Sequence, residues 1–183
     1  MLSDLIRAAP ARLGAVRLVA VDGPSGAGKS TVARKLADDL GATVLPTDHF
    51  ATWDDPVAWW PRLLDGVLAP LARGEAGRYQ RMEWTDGWPH LGEWLTVEPP
   101  EILVLEGVSS ARRSIADRLS FAIWVDLPDP ATRLERAVAR DGESSRAHLR
   151  RWQHFERGWF AVDNPRARAD HVCYEGNPPN TQC

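Results

Sequence analysis

At 183 residues, 44% hydrophobic and 26% charged, the chain has the composition of one soluble globular domain. A chain this long buries roughly two thirds of its surface and needs no staples. Its net charge of −3 comes without a basic block, which argues against a nucleic-acid surface. No apolar run approaches the roughly 18 residues of a membrane span, and the first residues, MLSDLIRAAPARLGAVR, lack the apolar core of a signal peptide. Cys173 and Cys183 are too few for a disulfide framework. The expectation is a cytoplasmic protein in a reducing setting.

In chain order, residues 2–13 can form a short helix interrupted by Pro10. A strand is expected at 17–22, then a helix over about 29–40 closed by Gly41. A short strand from Thr43 to Leu45 ends at Pro46 and delivers Thr47-Asp48-His49-Phe50 to a loop. Asp55-Pro56 offers an N-cap and a first-turn proline to a helix running to Arg73, which Pro61 kinks or properly begins. Residues 75–100 read as irregular and aromatic, with at most a short hairpin, the kind of insert that binds a substrate. Ile102 to Leu105 is continuously apolar, as a strand buried on both faces should be, and Glu106-Gly107 closes it.

A helix is expected at about 110–119, a strand from Phe121 to Asp126 and a helix over about 130–140, which Asp141-Gly142-Glu143 breaks. The helix at about 145–163 aligns Trp152, Phe155, Trp159 and Val162 on one face. A last strand spans about Asp170 to Tyr174, and 176–183 reads as a flexible tail. Alternating strands and helices predict a parallel α/β sheet whose ligands bind beyond the carboxyl ends of the strands.

Residues 17–31, RLVAVDGPSGAGKST, dominate that edge. They spell G-x-x-x-x-G-K-[ST] between a strand and a helix, a phosphate loop for a nucleoside triphosphate. Gly23, Pro24, Ser25, Gly26, Ala27, Gly28, Lys29, Ser30 and Thr31 would cradle the phosphates with backbone N–H groups at a helix N-terminus. Lys29 would neutralise phosphate charge, and the Ser30 hydroxyl would ligate Mg²⁺. Asp48, one strand away, suits the carboxylate that orients or deprotonates an attacking hydroxyl. Glu106, ending an apolar strand, suits a metal ligand or a ligand of metal-bound water, while Asp22 suits holding the phosphate loop.

Arg133, Arg136 and Arg140 share a helix face, continued by Arg146 and Arg150. That face is either solvated or part of a basic lid over 133–151; Arg136 and Arg140 are the candidates for stabilising transferred charge. The five histidines show no metal spacing. Trp53, Tyr79, Trp84 and Trp88 can stack a planar substrate or pack in the core. The absence of an Asn-Lys-x-Asp block and of D-x-x-G after the third strand argues against a GTPase switch.

Four blocks, GPSGAGKST, TDHF, EILVLEGVSS and TRLERAVARDG, together resemble the uridine kinase-like branch of the P-loop nucleoside kinases, from Val16 to about Gly176. The resemblance implies a three-layer α/β P-loop NTPase domain over 1–183. Its five parallel strands, numbered along the chain, would run in the order 2-3-1-4-5. It also implies ATP and Mg²⁺ as cofactors and phosphotransfer to a small-molecule hydroxyl, a nucleoside or nucleoside-like compound. Asp48 would be the base, Glu106 a metal residue beside Ser30, and lid arginines would meet the phosphates. Asp48, Phe50, Tyr79, Arg81 and Trp84 would contact substrate. The loop GPSGAGK is closer to that of cytidylate kinases, and the hairpin pattern around Tyr79, Arg81, Glu83 and Trp84 departs from the family's. A nucleoside monophosphate or antibiotic-type acceptor, a non-catalytic nucleotide-binding module and homo-oligomerisation stay open.

Overall fold

The computed structural model describes residues 1–85 and 87–174; the expected tail at 176–183 lies outside them. Its elements in chain order are α1 (Leu2–Ala8), β1 (Arg17–Asp22), α2 (Lys29–Leu40), β2 (Thr43–Pro46), α3 (Trp60–Leu63), α4 (Ala69–Ala72), β3 (Gly77–Thr85), β4 (Trp88–Val97), β5 (Ile102–Glu106), β6 (Leu119–Asp126), α5 (Pro130–Asp141), α6 (Arg146–Asp163) and β7 (His171–Tyr174). A π-helical turn, Leu64–Leu68, joins α3 to α4, so 60–72 is one helical stretch.

Five strands form the parallel sheet, in the order β2-β5-β1-β6-β7. Counting only these five along the chain, the order is the expected 2-3-1-4-5. The central strand β1 is buried from Leu18 to Asp22, and β5 over its whole length. Side chains alternate between two cores, as a pleated strand requires. Leu18, Ala20, Leu103 and Leu105 pack with Trp60, Leu63, Val67 and Leu71 on one face. Val19, Val21, Val104 and Ile123 pack with Ile6, Val32, Leu36 and Leu40 of α1 and α2 on the other. Helices on both faces of the sheet make three layers.

Three expectations need correction. Residues 75–100 are not irregular: β3 and β4 pair antiparallel as a long hairpin. Its alternation is interrupted by a register shift between Gln80 and Met82, and β4 is largely exposed, so the apolar periodicity of a strand is weak. The helix after Asp55-Pro56 begins only at Trp60, with Pro61 in its first turn. Asp55 instead closes a turn, its carboxylate accepting the Ala58 N–H at 2.7 Å. Residues 113–118 form a 3-10 helix, because the preceding segment is drawn onto Asp22: the Ser109 and Ala111 N–H groups donate to its carboxylate at 3.1 and 2.9 Å.

Gly107, where β5 leaves the sheet, has φ 135° and lies against Thr47. A Cβ there would sit 1.9 Å from Thr47 Oγ1, whereas at Gly41 (φ 65°) it would meet nothing within 4 Å. Gly107→Ala is therefore expected to lower the melting temperature by about 4–8 °C, a loss of about 2 kcal/mol or more, and Gly41→Ala by less than half of that. Thermal unfolding of both variants checks the difference.

Candidate active site

The sheet brings four strand ends to one edge: the loop after β1, Thr47-Asp48 after β2, Glu106 ending β5 and Asp126 ending β6. The loop after β1 turns through Gly23, Gly26 and Gly28, with φ of 144°, 78° and 97°, before Lys29 opens α2. Such angles are costly for residues with a Cβ, which is why the turn is glycine-rich. Gly28 is the N-cap, so the first N–H groups of α2 point into the concavity where an anion would bind. The Lys29 side chain is buried, and its Nζ donates to the Pro24 carbonyl at 3.1 Å. It is thereby folded across the loop, next to the phosphate position.

Asp22 fastens this loop. Fully buried, it accepts N–H bonds from Gly23 (2.7 Å), Ser109 and Ala111, tying the phosphate loop to the segment after β5. Burial pushes its pKa up to about 6, against those N–H bonds and the charge of Lys29. Trp60 Nε1 donates to Ser109 Oγ at 3.2 Å, extending the tie into the core.

Glu106 is 9% exposed, and its Oε1 accepts the Ser30 hydroxyl at 3.3 Å. Burial raises its pKa, Lys29 opposes the shift, and the nearby Asp48 carboxylate adds to it. A hydroxyl and a carboxylate side by side, facing a phosphate loop, fit Mg²⁺, which takes one or two protein ligands and completes its shell with phosphate and water. Among the described residues no cluster of three or more His, Cys, Asp or Glu could hold a metal.

A cavity of about 440 Å³ lies beside the loop, within the usual range for small-molecule sites. Ser25 and Asp48 both line it, together with Trp53, Trp84, Trp152 and Arg140. Trp53 organises the aromatic wall: Trp84 and Trp152 meet it edge-on at 4.9 and 5.9 Å, and His148 stacks on it at 4.9 Å. Its Nε1 donates to the Gly87 carbonyl at 2.7 Å, pinning the loop after β2 to the hairpin tip. Arg140 is gripped by Asp141, Nε to Oδ1 at 2.6 Å and one terminal nitrogen to Oδ2 at 2.7 Å.

Of the expected substrate residues, the structure brings Asp48 and Trp84 to this cavity, and of the expected arginines Arg140. Phe50 and Tyr79 are buried behind the wall: Phe50 stacks between Trp59 and Tyr79, and the Tyr79 hydroxyl shares a 2.8 Å hydrogen bond with His49 Nδ1. Burial raises the Tyr79 pKa to about 12. Arg81 is ion-paired with Glu83 and Glu93 at 2.8 and 3.1 Å and does not line the cavity. Arg136 is exposed on α5, also outside the lining. The stretch 133–151 runs from α5 into α6 and walls the cavity through Arg140, Asp141, Ser145 and Leu149.

Sequence reasoning missed Trp152, Asp141 and Glu156. The expected apolar face of α6 needs correction: Phe155 is 37% exposed and Val162 84%, while the inward face carries Leu149, Trp152 and Glu156. The signal was present, since Glu156 lies four residues after Trp152 and seven after Leu149, a carboxylate on an inward helical stripe.

These features are those of a P-loop fold that resembles nucleoside and nucleotide kinases. A family model described as cytidylate kinase matches residues 19–51, from within β1 through the phosphate loop, α2 and β2 to just past Phe50. A uridine kinase from Halobacterium salinarum is 28% identical over 140 residues, 67% of this chain and 61% of its own length, so the chain matches less than two thirds of that relative. A protein described as a possible uridine kinase from Bacillus stearothermophilus superposes with a TM-score of 0.67 at 17% identity, covering 93% of this chain and 94% of that one. A candidate fructose transport system kinase from Silicibacter sp. TM1040 gives 0.65 at 20%, covering 93% and 95%. The resemblance to uridine kinase-like P-loop kinases drawn from the four sequence blocks thus holds in sequence and in fold. No helix among the described residues is long and apolar enough to cross a membrane.

The buried Asp22 predicts a pH dependence. Its folded pKa of about 6 lies above the unfolded value of 3.8, so the folded state binds the extra proton between them. Its contribution to stability is full below about pH 4 and is lost as pH rises through 6, a change of about 3 kcal/mol. Unfolding free energies at pH 4 and pH 6.5 should show the gap between the protein and Asp22→Asn shifting by that order, with the protein relatively stronger in acid.

Proposed function

We propose that the protein is an ATP-dependent kinase that moves the γ-phosphate to a hydroxyl of a small ring-bearing molecule, a nucleoside or nucleoside-like compound. The observation that carries this reading is one cavity lined by both Ser25 of the phosphate loop and Asp48, with a tryptophan wall around it. An acceptor stacked there presents its hydroxyl to Asp48 with the terminal phosphate on the opposite side. The hydroxyl oxygen forms a bond to phosphorus as the bond to the β-phosphate oxygen breaks, and Asp48 takes the hydroxyl proton. Lys29 leaves the Pro24 carbonyl for the phosphates, and Arg140 meets the charge that develops on the transferred group.

Mg²⁺, held by Ser30 with Glu106 beside it, would neutralise phosphate charge when bound. A nucleoside acceptor is supported by the uridine kinase similarity and by aromatic rings able to stack a base. A monophosphate acceptor is less well served. Arg78 lies over the Trp94 ring and Arg81 is held by Glu83 and Glu93, leaving Arg140 as the lining arginine among the described residues.

Two variants test the proposal in an ADP-release assay with a panel of nucleosides and nucleoside monophosphates. Asp48→Asn is expected to lower turnover by about 10²–10⁴-fold while affinity for an ATP analogue stays within about threefold. Lys29→Ala is expected to abolish turnover and keep cooperative unfolding. Turnover in Asp48→Asn equal to that of the unaltered protein would contradict the assignment.

A further inference from the structure

Glu156 is a carboxylate set against a loop built to attract anions. It is 1% exposed on α6, and Oε1 and Oε2 accept the Ser25 N–H at 3.1 and 3.2 Å. Oε1 also accepts the Ser25 hydroxyl. Burial raises its pKa, and the charges of Lys29 and Arg133 together with the Ser25 bonds oppose that shift. Trp152, one turn earlier on the same helix face, lines the acceptor cavity with Ser25 and Asp48. The next loop residue, Gly26, is pressed against α5, where a Cβ would come within 2.3 Å of the Arg133 carbonyl. Two helices therefore grip one limb of the loop, α5 through its backbone at Arg133 and α6 through the Glu156 carboxylate.

We infer that Glu156 is a positioning residue for phosphate transfer: it clamps the Ser25 limb of the phosphate loop and, through α6, sets that limb against the tryptophan wall of the acceptor cavity. The inference rests on the nucleotide site proposed above. Ser25 is the loop residue that lines the cavity, so it lies on the side of the terminal phosphate. Losing the clamp should therefore weaken a triphosphate more than a diphosphate. A carboxylate with a purely structural role would weaken both alike, or lower only the melting temperature.

Calorimetric titration of the full chain with Mg²⁺ and either a non-hydrolysable ATP analogue or ADP separates these. Glu156→Ala is expected to lose about tenfold in affinity for the ATP analogue and less than about threefold for ADP. Glu156→Gln keeps an oxygen for the Ser25 N–H and an amide for the hydroxyl, and should restore analogue binding to within about threefold. Should Glu156→Ala not fold, Glu156→Asp, which withdraws the carboxylate by one methylene, reads the same split. Equal losses for both nucleotides, no loss for either, or a Glu156→Gln variant as weak as Glu156→Ala would overturn the inference. An unaltered chain that binds neither nucleotide overturns the proposed nucleotide site and the clamp together; one that binds both beside an indifferent Glu156→Ala overturns the clamp alone.

Discussion

Three backbone N–H groups converge on the Asp22 carboxylate, and the rest of the site hangs from that convergence. β1 must end abruptly for a phosphate loop to form, and a strand end inside a three-layer fold has no water to satisfy its polar groups. Asp22 answers both needs. It turns the chain at Gly23 and fixes the segment after β5, which places Gly107 against Thr47 and so sets β2's outgoing loop beside the glycine turn. The cost is a buried charge with a raised pKa, borne at the point where the protein needs rigidity most.

From this anchor the remaining acidic groups divide by environment. Glu106 is buried beside the Ser30 hydroxyl and under the field of Lys29. Asp48 is exposed to the cavity. Two carboxylates in one site with different burial suit different work in the proposed reaction: one would hold charge close to the phosphates, the other would meet an incoming hydroxyl. Glu156 belongs to neither group. It sits behind the loop, where its bonds to Ser25 link the shape of the glycine turn to α6.

Much of this was legible in the chain because it follows from local rules. The phosphate loop is a contiguous motif, the parallel strands are short apolar runs, and Glu106 is conspicuous as a charge ending one of them. Asp22 was readable as a loop holder for the same reason. The hairpin was not, because a two-stranded ribbon with an exposed outer face carries Trp88, Leu91 and Trp94 to solvent and loses the alternation that marks a half-buried strand. Phe50 and Tyr79 show a second limit. An aromatic residue next to a site reads alike whether it faces the cavity or backs it, and only packing decides. The helical spacing of Leu149, Trp152 and Glu156 marks an inward stripe, but their partner loop lies more than a hundred residues away, a separation that no spacing rule spans.

Phosphate transfer at this site requires that a terminal phosphate in the glycine loop face Asp48 across a space that admits an alcohol. A crystal structure of the protein with Mg²⁺ and a non-hydrolysable ATP analogue measures this directly. The γ-phosphorus is expected at the mouth of the cavity beside Ser25, with the Asp48 carboxylate opposite and room for one hydroxyl between them. A γ-phosphate directed away from the tryptophan wall, or Asp48 turned out of the cavity, would contradict it.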